Sequence, residues 1–114
     1  MKSSSDKNEY LINETIRVNC TVKNTGKLEG KEVVQVYAGK VNSKINRAKK
    51  ELKGFKKVFI KSNQSEKIKI EIPVNNLAFY NEKDSDWEIE KGEYIIYIGN
   101  ASDNIWEEIS ITII

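Results

Sequence analysis

Apolar and polar side chains alternate along much of this chain, most plainly over residues 67–72, where Ile68, Ile70 and Ile72 are separated by Lys and Glu. The pattern returns over 108–113 (Ile109, Ile111, Ile113) and over 16–22 (Ile16, Val18, Cys20, Val22). Successive side chains of a strand point to opposite faces, so a period of two predicts three strands with one dry face and one wet face. Residues 32–38 and 93–99 are apolar on both sides. That composition predicts either interior strands or strands whose outer face meets another domain. Residues 50–60 read as a further strand, in which Gly54 marks a bulge or a close approach of backbone.

Turn chemistry separates these runs: Asn24-Thr25-Gly26, Gly30, Ser62-Asn63, Lys91-Gly92 and the segment 99–103. Gly26, Gly92 and Gly99 are the expected positions of positive φ. Pro73, the single proline, ends the strand over 68–72, because it brings no backbone donor. A short helical turn is expected at 75–78, and no segment keeps helical periodicity over two full turns. The prediction is an all-β chain, an antiparallel β-sandwich of about seven strands, forming one domain over 1–114. Residues 1–8 are expected to be poorly ordered, or the first dozen to supply the first strand.

Composition agrees with this picture and narrows it. A length of 114 residues suits one sandwich, which needs roughly 100. The apolar 39% is carried largely by Ile and Val, whose branched side chains favour a pleated surface. No apolar run approaches the ~20 residues of a membrane helix, so no membrane partner is expected. Residues 1–6 lack the apolar segment of a secretory leader, and no compartment is read from them. Cys20 is the sole cysteine and lies on the apolar side of its run, as a buried inert thiol would. Net charge is only +2, yet residues 40–61 carry nine basic side chains against the single acid Glu51, whereas 71–108 is mainly acidic. A solvated surface, with the two halves interleaved, is the simpler reading than a recognition patch.

A longer pattern spans most of the chain. The stretch Val22-Lys23-Asn24-Thr25-Gly26-Lys27-Leu28-Glu29-Gly30-Lys31-Glu32-Val33-Val34-Gln35-Val36-Tyr37 resembles the V-x-N-T-G-x-x-x-G-x-E-V-V-Q-x-Y signature of the fibronectin type III-like domain of family 3 glycoside hydrolases. The likeness continues in order through Arg47, Lys50-Glu51-Leu52-Lys53-Gly54-Phe55-Lys56-Lys57-Val58, Leu77-Ala78-Phe79-Tyr80, Trp87, Gly92-Glu93-Tyr94 and 99–105. It covers about residues 16–113. The chain departs from the pattern at Ala48, where the family often has proline, which removes a stiffening of that loop. The resemblance implies an immunoglobulin-like, fibronectin type III-like sandwich. It also implies a non-catalytic accessory domain whose partners are the catalytic domains of a β-glucosidase- or β-xylosidase-type hydrolase. The loop over 40–50 and the basic strand after it are the expected docking region, with Arg47, Lys50, Glu51, Leu52 and Phe55 as its candidate residues.

The chemistry in the sequence fits a module without a reactive centre. With no histidine and one cysteine, Ser-His-Asp and Cys-His arrangements are excluded, as is a zinc cluster of nitrogen and sulfur ligands. No cofactor is expected. Ser85-Asp86-Trp87 copies the string around the nucleophile of the same hydrolase family, but it falls in a turn, and Trp87 matches the sandwich's own tryptophan. Asp84, Asp86, Glu88 and Glu90 alternate without a following glycine to wrap them round calcium, which favours an acidic solvated face. Trp87, Trp106, Tyr80 and Tyr97 would stack on sugar if exposed in one plane, so a carbohydrate- or surface-binding module, with polysaccharide as partner, is the alternative reading; core or interface packing is the commoner fate of such residues. Basic residues with Phe55 and Phe59 lack a stacking motif, and no nucleic acid partner is expected. The Asn-x-Ser/Thr strings at Asn13, Asn19, Asn63 and Asn100 are expected by chance in so Asn-rich a chain and are not read as glycosylated.

Overall fold

The computed structural model describes residues 2–24, 30–44 and 49–114. Among the described residues ten strands run in chain order: β1 (Lys2–Ser5), β2 (Glu9–Tyr10), β3 (Thr15–Lys23), β4 (Gly30–Lys40), β5 (Glu51–Ile60), β6 (Ser65–Pro73), β7 (Phe79–Asn81), β8 (Asp86–Glu88), β9 (Gly92–Ala101) and β10 (Asn104–Ile113). A 3-10 turn at Val74–Leu77 follows β6 and buries Val74 and Leu77. This is the helical turn expected around 75–78. It begins directly behind Pro73, whose φ of −57° and missing donor suit the start of a turn.

Two sheets face each other, one ordered β1-β3-β6 and the other β2-β10-β9-β4-β5, while β7 and β8 form a separate hairpin. The all-β, fibronectin type III-like sandwich expected from the sequence is thus the observed fold. The register of β3 against β6 pairs Ile16 with Ile72, Val18 with Ile70 and Cys20 with Ile68. These side chains therefore share the inner face, where they meet Val34, Val36 and Ala38 of β4 and Tyr94, Ile96 and Ile98 of β9 in one core. Among the described residues no polar or charged residue is buried. The opposite face of the small sheet pairs Arg17 with Glu71, Asn19 with Lys69 and Thr21 with Lys67, all of them exposed except the half-buried Thr21. Arg17 is 3.4 Å from the Glu71 carboxylate and 3.7 Å from that of Asp6. Such exposed pairs add little to stability.

Strand number exceeds the expected seven for two reasons. The N-terminal segment serves both sheets: β1 pairs antiparallel with β3, and the chain then crosses so that β2 lies parallel to the end of β10. Parallel pairing there is a departure from the purely antiparallel expectation. The hairpin of β7 and β8 adds two short strands where the sequence suggested only a turn.

Gly92 has the expected positive φ, at 123°, whereas Gly26 lies outside the described residues. Gly99 is not in the left-handed region; its constraint is space, because an added Cβ would sit 2.1 Å from the Asn104 carbonyl oxygen. The register of β9 with β10 shifts around Asn104 and Ile105, which brings that carbonyl over Gly99. Gly54 meets both expectations. The β4–β5 register steps from Val36–Gly54 to Tyr37–Leu52, leaving Lys53 as the extra residue of a bulge, and a Cβ on Gly54 would meet Ile70 at 2.9 Å. The remaining left-handed positions are Asn42, Asn63 and Ser85, with φ of 54°, 61° and 51°. Asn tolerates that region best of the larger residues.

Candidate functional site

Because β5 is the edge of the five-stranded sheet, its side chains alternate between the sandwich interior and the outer face. The register places Phe59 opposite Lys31, Lys57 opposite Val33 and Phe55 opposite Gln35, then Leu52 opposite Tyr37, which in turn faces Tyr97 of β9. The outer face thereby gathers Val33, Tyr37, Leu52, Phe55, Phe59 and Tyr97. Leu52, Phe55 and Phe59 are 50%, 62% and 54% exposed. Contiguous exposed apolar patches are a common feature of interaction sites.

Lysines frame this patch. Lys50 lies 5.2 Å from the centre of the Tyr97 ring and donates to the Ser102 carbonyl at 2.7 Å, which ties the start of β5 to the β9–β10 turn. Lys53, Lys56 and Lys57 lie on the β5 edge, whereas Glu107 and Glu108 lie on β10 toward the other edge. In this sheet β4 and β9 lie between these two groups, with β4 of the first half paired to β9 of the second.

The five residues expected to dock do not form one set. Lys50, Leu52 and Phe55 share the outer face. Glu51, one residue before Leu52, turns the opposite way and joins Lys53 at 3.8 Å beside a cleft under Trp87. Arg47 lies outside the described residues. Phe59, Val33, Tyr37 and Tyr97 belong to the face and were not among the candidates, although the spacing Phe55-Lys57-Phe59 at period two signalled at least the first of them. The loop after β4 is held at its near end, where Ser43 Oγ donates to Glu90 Oε1 at 2.6 Å and the Lys44 amide to Glu90 Oε2 at 3.1 Å.

The remaining chemical candidates sit as follows. Cys20 is buried, and burial pushes its thiol above the ordinary value. Asp86 stands on the exposed β7–β8 hairpin, just after the turn at Ser85, and its Oδ1 accepts from the Trp87 amide. Asp84 and Glu88 both accept from the Asn81 side chain, and Glu90 holds the β4 loop. Asp84 and Glu88 thus share the Asn81 amide, while Asp86 and Glu90 are directed elsewhere. Among the described residues no cluster of three or more His, Cys, Asp or Glu could hold a metal ion. Of the aromatic residues, Trp106 packs against the core and Tyr97 lies under Lys50, whereas Tyr80 and Trp87 stand together on the hairpin, 49% and 65% exposed.

Residues 32–102, more than half the chain and including the whole β5 face, match the model of the fibronectin type III-like domain. The chain belongs to this family. The domain is 41% identical over 102 residues to thermostable beta-glucosidase B of Acetivibrio thermocellus, covering 90% of this chain and 14% of the relative. It is 40% identical over 99 residues to an exo-alpha-(1->6)-L-arabinopyranosidase of Bifidobacterium breve, covering 87% and 13%. A solved beta-glucosidase of Listeria innocua, in complex with isofagomine, contains the same fold at a TM-score of 0.89 and 30% identity, over 98% of this chain and 15% of that one. The fibronectin type III-like domain therefore spans about one-seventh of the length of these relatives.

Proposed function

We propose that this chain is a non-catalytic accessory domain of a family 3 glycoside hydrolase of β-glucosidase type, and that it packs against the catalytic domains through the outer face of its five-stranded sheet. The observation that carries the reading is the asymmetry between the two outer faces. The small sheet shows water Arg, Asn, Thr, Lys and Glu, whereas the large sheet shows it Leu52, Phe55 and Phe59 in a frame of lysines. A solvated face needs no partner, but an aromatic one gains by being covered. Interfaces within one chain commonly bury ~600–1,500 Å², which a face of this kind can supply. The likeness to small parts of much longer glycosidases supports the same reading. Polysaccharide as a partner rests on different residues, those of the β7–β8 hairpin.

The test uses a hydrolase that carries this domain. Leu52→Ser with Phe55→Ser lowers the unfolding temperature and soluble yield of the whole enzyme, and leaves the unfolding of the separate 114-residue chain nearly unchanged, since both side chains are exposed there. Equal stability of the whole enzyme with and without the substitutions would refute docking through this face.

A further inference from the structure

Beneath Trp87 lies an open cleft of about 560 Å³, between the start of β5, the 3-10 turn and β8. We propose that this cleft is a subsite for one pyranose ring of an oligosaccharide, with the Trp87 indole as its stacking platform. The volume falls in the ~300–1,000 Å³ range of small-ligand sites. The composition of the walls decides the class of ligand. A pyranose ring presents an apolar C–H face and a rim of hydroxyls that each donate and accept. The indole, with Ala78 and Ile89, supplies an apolar surface for the first. For the second, the side-chain amides of Asn75 and Asn76 each offer a donor and an acceptor, and they make no hydrogen bond among the described residues. Lys53 and Glu51, 3.8 Å apart, add a cationic donor and a carboxylate acceptor at the start of β5.

The platform is held in place. Tyr80 and Trp87 are directly paired across the hairpin, and their rings meet edge-on, with centres 5.5 Å apart and planes at 68°. Edge-on packing of this kind is a favourable arrangement of two aromatic rings and restricts the indole without enclosing it. Cations or anions alone would find no concentrated charge, since Lys53 and Glu51 offset each other. A purely apolar occupant would leave both amides and the ion pair without a use. Weak binding is expected of a single open subsite, with dissociation in the millimolar range. The proposal does not depend on docking, because Leu52 and Phe55 lie on the other side of β5.

The experiment follows the isotope-labelled 114-residue chain by amide and indole nuclear magnetic resonance during titration with cellopentaose and, separately, laminaripentaose. The expected result is a saturable shift of the Trp87 indole N–H and of the Asn75 and Asn76 side-chain amides with at least one of the two sugars. Trp87→Ala abolishes it, Trp87→Phe retains part of it, and Asn76→Ala weakens it several-fold. Trp87 is exposed, so the unchanged resonances of Val36, Ile72 and Ile96 verify that each variant remains folded. Absence of shifts with both sugars overturns the proposal. So do shifts that persist in Trp87→Ala, and so does a response confined to the apolar dye anilinonaphthalene sulfonate, which would assign the cleft to a protein surface.

Discussion

The hydroxyl of Tyr10 donates to the Asp6 carboxylate at 2.5 Å, across the bend where the chain leaves one sheet for the other. Asp6 also accepts from the Arg17 amide at 3.1 Å and donates its own amide to the Arg17 carbonyl at 3.0 Å, so this single residue fastens β2 to β3. The Tyr10 ring is wholly buried. Burial, and next the neighbouring carboxylate, push its hydroxyl up to about 12. Burial alone would raise the Asp6 carboxyl, but donors from Tyr10 and Arg17 outweigh it and hold that group below the usual value.

A pH dependence follows at the alkaline end. Tyr10 stays protonated in the folded chain above the pH at which an unfolded tyrosine, near 10, loses its proton. Folding is therefore favoured in full below pH ~10, and this contribution drains away as pH rises toward ~12. Chemical denaturation at a series of pH values should show a loss on the order of 2 kcal/mol over that window from this group. Tyr10→Phe should be less stable at neutral pH by ~1–3 kcal/mol, through the lost bond to a charged acceptor, and its alkaline loss should be smaller.

Gly99→Ala should destabilise by about 2 kcal/mol or more, because the new Cβ meets the Asn104 carbonyl at 2.1 Å and backbone must move. Gly30→Ala is the matched control. Nothing lies within 4 Å of its Cβ, and its effect should stay within ~0.5 kcal/mol. Thermal unfolding of the two variants measures the difference.

Ile72→Ala should cost ~2–5 kcal/mol, since Ile72 is fully buried and packs where Gly54 lets β5 approach β6. Equilibrium denaturation reads the loss directly. A midpoint close to that of the unchanged chain would mean that the two sheets do not close over this position.

Cys20 should react with a thiol reagent only after opening of the sandwich. Its thiol is buried, and burial raises the pH at which the reactive thiolate forms. Labelling in native buffer should be slower than in denaturant by orders of magnitude, and Ile72→Ala should accelerate it.

Much of this fold was legible because burial is one-sided. In β3 and β6 only alternate residues enter the core, so the sequence of each carries the period of two without interruption. β4 and β9 are apolar on both sides because one face builds the sandwich core and the other the exposed patch, and both lie at interior positions of the sheet, the first of the two alternatives their composition predicts. The hairpin of β7 and β8 escaped because its six residues are mostly exposed, and such strands have no apolar period to betray them. Glu51 and Leu52 face opposite ways, as neighbours on a strand must, and the bulge at Lys53 resets the alternation within two residues. The division of the N-terminal segment had no signal either. Ser3, Ser4 and Ser5 are polar on both sides, and only the burial of Tyr10 reveals which sheet receives the chain next.

The parallel contact of β2 with β10 has a mechanical consequence. The Thr112 amide donates to Asn8 and the Ile114 amide to Tyr10, so the first crossing of the chain and its last strand are clasped side by side. Tension entering from one end and leaving by the other would slide these two segments past each other. Both bonds then carry the load together instead of parting one at a time. The domain would yield abruptly and late under stretching.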